Sequence, residues 1–122
     1  MKQAKQQTEH KDDLELKELS QYFGTENYYD IGGIQTTDGI IYIMKNGYSW
    51  VITDAIVILK SFSQEKYPFI SMDFKIKNGQ ADINYTDGNG NIIYTQHYKY
   101  TDAKKDFKLF YTDNVLMLSG EY

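Results

Sequence analysis

Between residues 69 and 100 the chain alternates apolar and polar side chains, with only tight turns separating the runs. Ile70, Met72, Phe74 and Ile76 face one way and Ser71, Asp73, Lys75 and Lys77 the other, the period of a strand buried on one side. Asn78-Gly79 offers a turn that tolerates positive φ, after which Ala81, Ile83 and Tyr85 resume the alternation. Asp87-Gly88-Asn89-Gly90 reverses the chain again, and Ile92, Tyr94, Tyr98 and Tyr100 share one face of a third strand. Residues 107–111 and 115–118 predict a closing hairpin across Thr112-Asp113-Asn114.

Upstream of Pro68 the period changes. Asp12 and Glu15 have the spacing of a capping box, Leu16, Leu19 and Phe23 fall on one helical face, and Gly24 stands where a helix would stop. Residues 26–37 read as an extended loop with room for a short strand. Thr36 or Thr37 then caps a second helix, with Asp38 in its first turn and Ile40, Ile41 and Met44 on its apolar side, closing at Asn46-Gly47. Ser49 is the expected cap of a third helix to about residue 62. Its apolar positions (Trp50, Val51, Ala55, Ile56, Val57, Ile58, Leu59, Phe62) cover more than one stripe, which predicts a central buried helix. A strand competes for residues 56–59, where β-branched side chains gather; length favours the helix.

The fold expectation is therefore α+β in two layers. N-terminal helices near 12–23, 38–46 and 49–62 pack on one face of an antiparallel meander sheet of four to five strands. Residues 1–11 are polar and read as a flexible tail, and residues 12–122 as a single domain.

Composition narrows the chemistry. With 122 residues the chain can build one core without staples. It has no cysteine, which removes disulfides, thiolate metal sites and a cysteine nucleophile. All thirteen basic residues are lysines, so no guanidinium fork is available for phosphate or guanine, and the net charge is −4. Direct nucleic-acid binding is not expected. No secretory h-region precedes Leu14, and the most apolar run, residues 50–59, is far short of the ~20 residues that cross a bilayer. A cytoplasmic protein without membrane contact is the expectation. Twelve tyrosines, six phenylalanines and one tryptophan suit half-buried sheet faces and binding surfaces alike.

Candidate catalytic patterns do not assemble. Asp87, Asn89 and Asn91 match the first oxygen positions of a calcium loop, but Ile92 stands at the required glycine and Tyr98 at the bidentate acid. A hairpin turn explains them better. His10 and His97 have no second ligand at metal spacing, and His97 reads as a solvated sheet residue beside Thr95 and Lys99. Asp12-Asp13 is explained by capping. No nucleophile elbow, phosphate loop or dinucleotide fingerprint occurs. The expectation is no catalytic residue, no metal and no cofactor.

Three segments, LSQYFGTENYY (19–29), TDGIIYIMKNGYSWVITDAI (37–56) and residues 87–122 with their DGNG turn, Tyr100-Thr101-Asp102 and terminal Glu121-Tyr122, resemble a family of small prokaryotic proteins of unknown function, DUF6876. The resemblance spans nearly the whole chain from Asp13. It departs at Ser49-Trp50, where the family tends to show Tyr-Trp, and at Ala103-Lys104, where it shows Phe-Pro. It departs again at Ser119-Gly120, where the family shows Pro-Ser, and near residues 72–74, where a tryptophan is usual. It implies small stand-alone proteins, some carried by phages or plasmids, and transfers no activity.

The functional expectation is a non-catalytic module that binds a host protein. Its sharper form is an inhibitor of a nucleic-acid-processing defence complex, whose basic channel would attract the acids. The expected contacts are Asp12, Asp13, Glu15 and Glu18, with Tyr28, Tyr29 and Asp30. The alternatives are an enzyme using Asp54, Asp73 or Asp102 in a helix–sheet cleft, and a homodimer built through an exposed strand or tyrosine-rich face.

Overall fold

A computed structural model describes residues 27–101, 103 and 105–122. Strands β1 (Tyr28–Ile31) and β2 (Ile34–Thr37) lead into a short helix α1 (Asp38–Ile43), a wide turn (Met44–Tyr48) and the long helix α2 (Ser49–Lys60). The meander β3 (Phe69–Lys77), β4 (Gln80–Thr86) and β5 (Ile92–Tyr98) follows, then β6 (Phe107–Thr112), β7 (Val115–Leu118) and a single 3-10 turn (Ser119–Glu121). The expected 12–23 helix and the 1–11 tail lie outside the described residues.

Local chemistry explains the helices. Thr37 is extended and its Oγ1 accepts the Ile40 amide at 3.4 Å, the expected cap, while Asp38 complements the first turn. The helical path that α1 begins breaks at Asn46-Gly47, where Gly47 takes φ 104°, a conformation open to glycine and strained for other residues. The cap expected at Ser49 is not made. The chain swings from α1 into α2 through the kink with no free N-terminus, so Ser49 Oγ instead donates to the Met44 carbonyl at 3.0 Å. α2 is also less buried than its composition predicts. Val51, Ile52, Ala55, Ile56 and Leu59 form one sealed stripe, whereas Val57 is 68% and Trp50 36% exposed. It is an ordinary amphipathic helix lying on a sheet.

The sheet is larger than expected and mixed: seven strands in the order β1-β2-β7-β6-β3-β4-β5. The closing hairpin does not extend the meander past β5. It docks on the other side of β3, in the register Phe69↔Thr112 to Phe74↔Phe107. β7 then runs parallel to β2 through Gln35↔Val115 and Thr36↔Leu116, and the expected 26–37 loop proves to be a hairpin turning at Gly32-Gly33. The curled sheet reaches α2 from both edges. Tyr98 of β5 packs on Trp50 with ring centroids 4.9 Å apart, and Lys60 Nζ donates to the Gly32 carbonyl of the β1–β2 turn at 2.6 Å.

The period-two reading of β3 and β4 holds. Ile70, Met72, Phe74, Ala81, Ile83 and Tyr85 are buried beneath α2 with Leu109, Tyr111, Leu116 and Leu118. In β5 the parity breaks. Tyr85 pairs with Tyr94 but Thr86 pairs with Ile92, so Ile93 is a bulge residue. Ile92 is thereby turned to the face opposite Tyr94 and Tyr98, correcting the shared face read from the sequence.

Candidate functional site

No helix among the described residues covers the second face of the sheet, and its side chains follow from the register. β3 contributes Phe69, Ser71 and Asp73, β4 Asn84 and Thr86, β6 Lys108, Phe110 and Thr112, and β7 Val115 and Met117. A polar face is the norm for an outward-facing antiparallel sheet. Here it carries an aromatic ridge. Phe69 lies 5.0 Å from Phe110 and 5.4 Å from Tyr122, and Phe110 lies 5.5 Å from Tyr122, measured between ring centroids. Tyr122 remains 73% exposed.

Two hollows flank this ridge. One, of about 510 Å³, lies among Ser71, Asp73, Thr86, Ile92 and Lys108, with Asp73 and Lys108 loosely paired at 3.5 Å. The other, of about 300 Å³, is bordered by Tyr28, Asp113, Met117 and Tyr122. The ridge is positioned from the C-terminus. The 3-10 turn folds Tyr122 over the sheet while the Glu121 carboxylate accepts from Thr37 Oγ1 at 2.6 Å, the Leu118 amide at 2.9 Å and the Gly39 amide at 3.1 Å.

The residues expected from the sequence divide. Tyr28 is 58% exposed and borders the smaller hollow. Tyr29 is instead tied to α1, its hydroxyl donating to Asp38 Oδ1 at 2.9 Å, and that bond holds its phenol above the usual range. Asp30 accepts the Gly33 amide at 2.9 Å and closes the β1–β2 turn. Asp12, Asp13, Glu15 and Glu18 lie outside the described residues. Phe69, Phe110 and Tyr122 were not anticipated. The signal was present: Phe69 and Phe110 are out of phase with their buried neighbours Ile70 and Leu109, so strict alternation sets aromatics on the polar face.

The acids named for an enzyme are not brought together. Asp54 is on α2, whereas Asp73 faces outward across the sheet; Asp102 lies outside the described residues. Asp87 is consumed by its own turn, its carboxylate accepting from the Asn89 amide at 2.8 Å and from the Asn91 amide and side chain. Those bonds, the Asn91 side chain's first, hold it below the usual carboxylate range. The hairpin reading of that loop stands. His97 sits across from Asp82 at 2.6 Å on the exposed face, as expected of a solvated sheet residue.

A polar chain crosses the other layer. Tyr85 donates to Gln96 Oε1 at 2.7 Å, Gln96 Nε2 to the Tyr98 oxygen at 3.2 Å, and Tyr98 to Asp54 Oδ2 at 2.6 Å. Burial, then the nearby phenols and Asp54, pushes the Tyr85 phenol far up; burial and the Asp54 bond do the same to Tyr98. The native state therefore holds both neutral, while the unfolded chain ionises them near pH 10. Their contribution to stability is complete below that pH and is lost as pH rises further. The thermal midpoint should hold from neutral pH to about 9.5 and then fall steeply, and Tyr85→Phe should flatten the fall. A wild-type midpoint as flat as the variant's above pH 10 would contradict this.

These observations define an α+β protein in which one helix layer covers one side of a mixed seven-stranded sheet, with no helix among the described residues over the aromatic-ridged second face. The chain belongs to the family of unknown function DUF6876, which matches residues 13–122. No curated protein and no solved structure matches it. Among the described residues, no helix is long and apolar enough to cross a membrane.

Proposed function

We propose that this chain is a non-catalytic protein-binding module that docks on its partner through the open sheet face. The observation that carries this reading is the Phe69–Phe110–Tyr122 ridge between two hollows. Exposed aromatic anchors beside concavities are where binding energy concentrates in protein interfaces. Neighbouring strands at about 4.8 Å spacing give this face several hundred Å², the scale of one side of a standard interface.

The partner class we propose is a host protein that processes nucleic acid in defence, with the module acting as its inhibitor in the cytoplasm. Support comes from the net charge of −4 and the absence of arginine, which suit competition for a basic channel. The acids Asp12, Asp13, Glu15 and Glu18 precede β1, whose Tyr28 borders the ridge. A phage- or plasmid-borne setting, implied by the family resemblance, fits this role.

The test is parallel capture from the native host with wild type, Phe110→Ser and Tyr122→Ala. A protein recovered by wild type should be lost, by at least tenfold in affinity, with either variant at unchanged folding. Its catalytic activity on nucleic acid should fall when wild type is added. Capture that is indifferent to both substitutions, or recovery of nucleic acid alone, would overturn the reading. A dimeric mass by light scattering that Tyr122→Ala returns to monomer would instead name a second copy as the occupant.

A further inference from the structure

The helix-covered side of the sheet has a concavity of its own, where the N-terminus of α2 meets the end of β5. It holds about 500 Å³ and is lined by Gly47, Tyr48, Trp50, Tyr98, Tyr100, Thr101 and Ala103. That volume is within the range of small-ligand sites. Trp50 and Tyr98 stand at 83° to each other with centroids 4.9 Å apart, forming two perpendicular walls. Tyr100 adds a third ring, 89% exposed. The backbone beside it is fixed: the Thr101 amide donates to the Gly79 carbonyl at 2.9 Å, and Thr101 Oγ1 accepts the Ala103 amide at 3.0 Å.

The hydrogen-bond inventory identifies what fits. The Trp50 indole N–H is spent on the Gly47 carbonyl at 3.0 Å. The Tyr98 hydroxyl proton is spent on Asp54 Oδ2, and its oxygen already accepts from Gln96. With these two donors engaged internally, the cleft offers mainly π faces, and the Asp54 carboxylate that holds the Tyr98 hydroxyl has a second oxygen beyond the one Tyr98 uses. With a carboxylate bonded to one of its rings and no lysine among its described lining residues, such a cleft is poorly matched to an anion. It is well matched to a ligand that brings positive charge and apolar surface, because the ring quadrupole and the carboxylate both attract a cation.

We propose that this cleft binds an alkylammonium group, the head of a choline-type molecule or of a methylated lysine side chain. The cation would sit against Trp50, Tyr98 and Tyr100, with Asp54 compensating its charge. The site is on the opposite side of the sheet from the aromatic ridge, so it operates independently of partner docking there.

Trp50 is the only tryptophan in the chain and therefore reports on this cleft alone. Choline and a trimethyllysine amide should each change its emission saturably, with dissociation constants of about 1 mM or tighter, and the tighter of the two identifies the source. The neutral isostere 3,3-dimethylbutanol should bind at least ~10-fold more weakly, because it keeps the shape and loses the charge. Tyr100→Ala should weaken both cations about 3-fold, with an unchanged thermal midpoint because the ring is exposed, and should leave capture through the ridge intact. Saturation-transfer NMR on the N-methyl protons covers binding that leaves the emission unchanged. No saturable signal by either method, or equal binding of the neutral isostere, would overturn the assignment.

Discussion

Phe74→Ala should lower the unfolding free energy by about 3–5 kcal/mol, the cost of deleting a fully enclosed aromatic ring. Phe74 is 1% exposed at the middle of β3, stacked on Phe107 at 4.6 Å and met edge-on by Tyr48 and Trp50, each at 6.2 Å. Those three rings belong to β6, the α1–α2 kink and α2. Each is held by its own element, so the void left by Phe74 has little freedom to collapse, and the cavity penalty adds to the lost transfer energy. Urea unfolding should show a lower midpoint at an unchanged slope. Phe69→Ala is the internal comparison. That ring sits on the open face and is half-buried, so its removal should cost only about 1 kcal/mol, mostly from ring–ring contacts. Equal losses for the two variants would mean that α2 does not seal one face of the sheet preferentially.

The contrast between those two phenylalanines marks how far the sequence could be read. Where one face of a strand is buried and the other is not, alternation states which is which, and Ile70 to Ile76 and Ala81 to Tyr85 were legible for that reason. The Thr37 cap was legible because capping is local chemistry. What was hidden depends on partners far along the chain. β1 has no alternation to read, since its residues are exposed or half-buried on both sides. The parallel join of β2 to β7 links Gln35 with Val115, and no short-range pattern encodes such a pairing. The bulge at Ile93 adds one unpaired residue, and with it the parity of everything before it inverts; that is why Ile92 was assigned to the wrong side. The open-face ridge was obscured by the assumption that the outward half of an alternating strand is polar. In the candidate site, Tyr28 was found from composition and Tyr122 was not, because its position is created by a tertiary contact of its neighbour Glu121.

Glu121→Ala should cost about 3 kcal/mol of stability and should also disorganise the open face. One carboxylate joins the first turn of α1 to the end of β7. It accepts from Thr37 Oγ1, the Gly39 amide and the Leu118 amide, and Thr37 is only 2% exposed. Alanine leaves these donors without that acceptor in a partly buried place, which is more damaging than losing a solvated bond. It also removes a negative charge from a helix N-terminus. The approach is so close that a Cβ on Gly39 would lie 2.5 Å from Glu121 Oε1 and 2.6 Å from Leu118 Cδ1, so glycine there is a condition of the contact. Glu121→Gln keeps the length and one acceptor oxygen, and should recover about half of the loss. Because Glu121 fixes the turn that lays Tyr122 on Phe69 and Phe110, the alanine variant should lose partner capture as Tyr122→Ala does, while Tyr122→Ala should keep nearly full stability. That pairing separates anchoring from docking. Chemical unfolding and amide exchange at Gly39 and Leu118 measure the first effect and capture the second. A cost below about 0.5 kcal/mol, the range of ordinary surface substitutions, would show that the carboxylate is not what closes the C-terminus on α1.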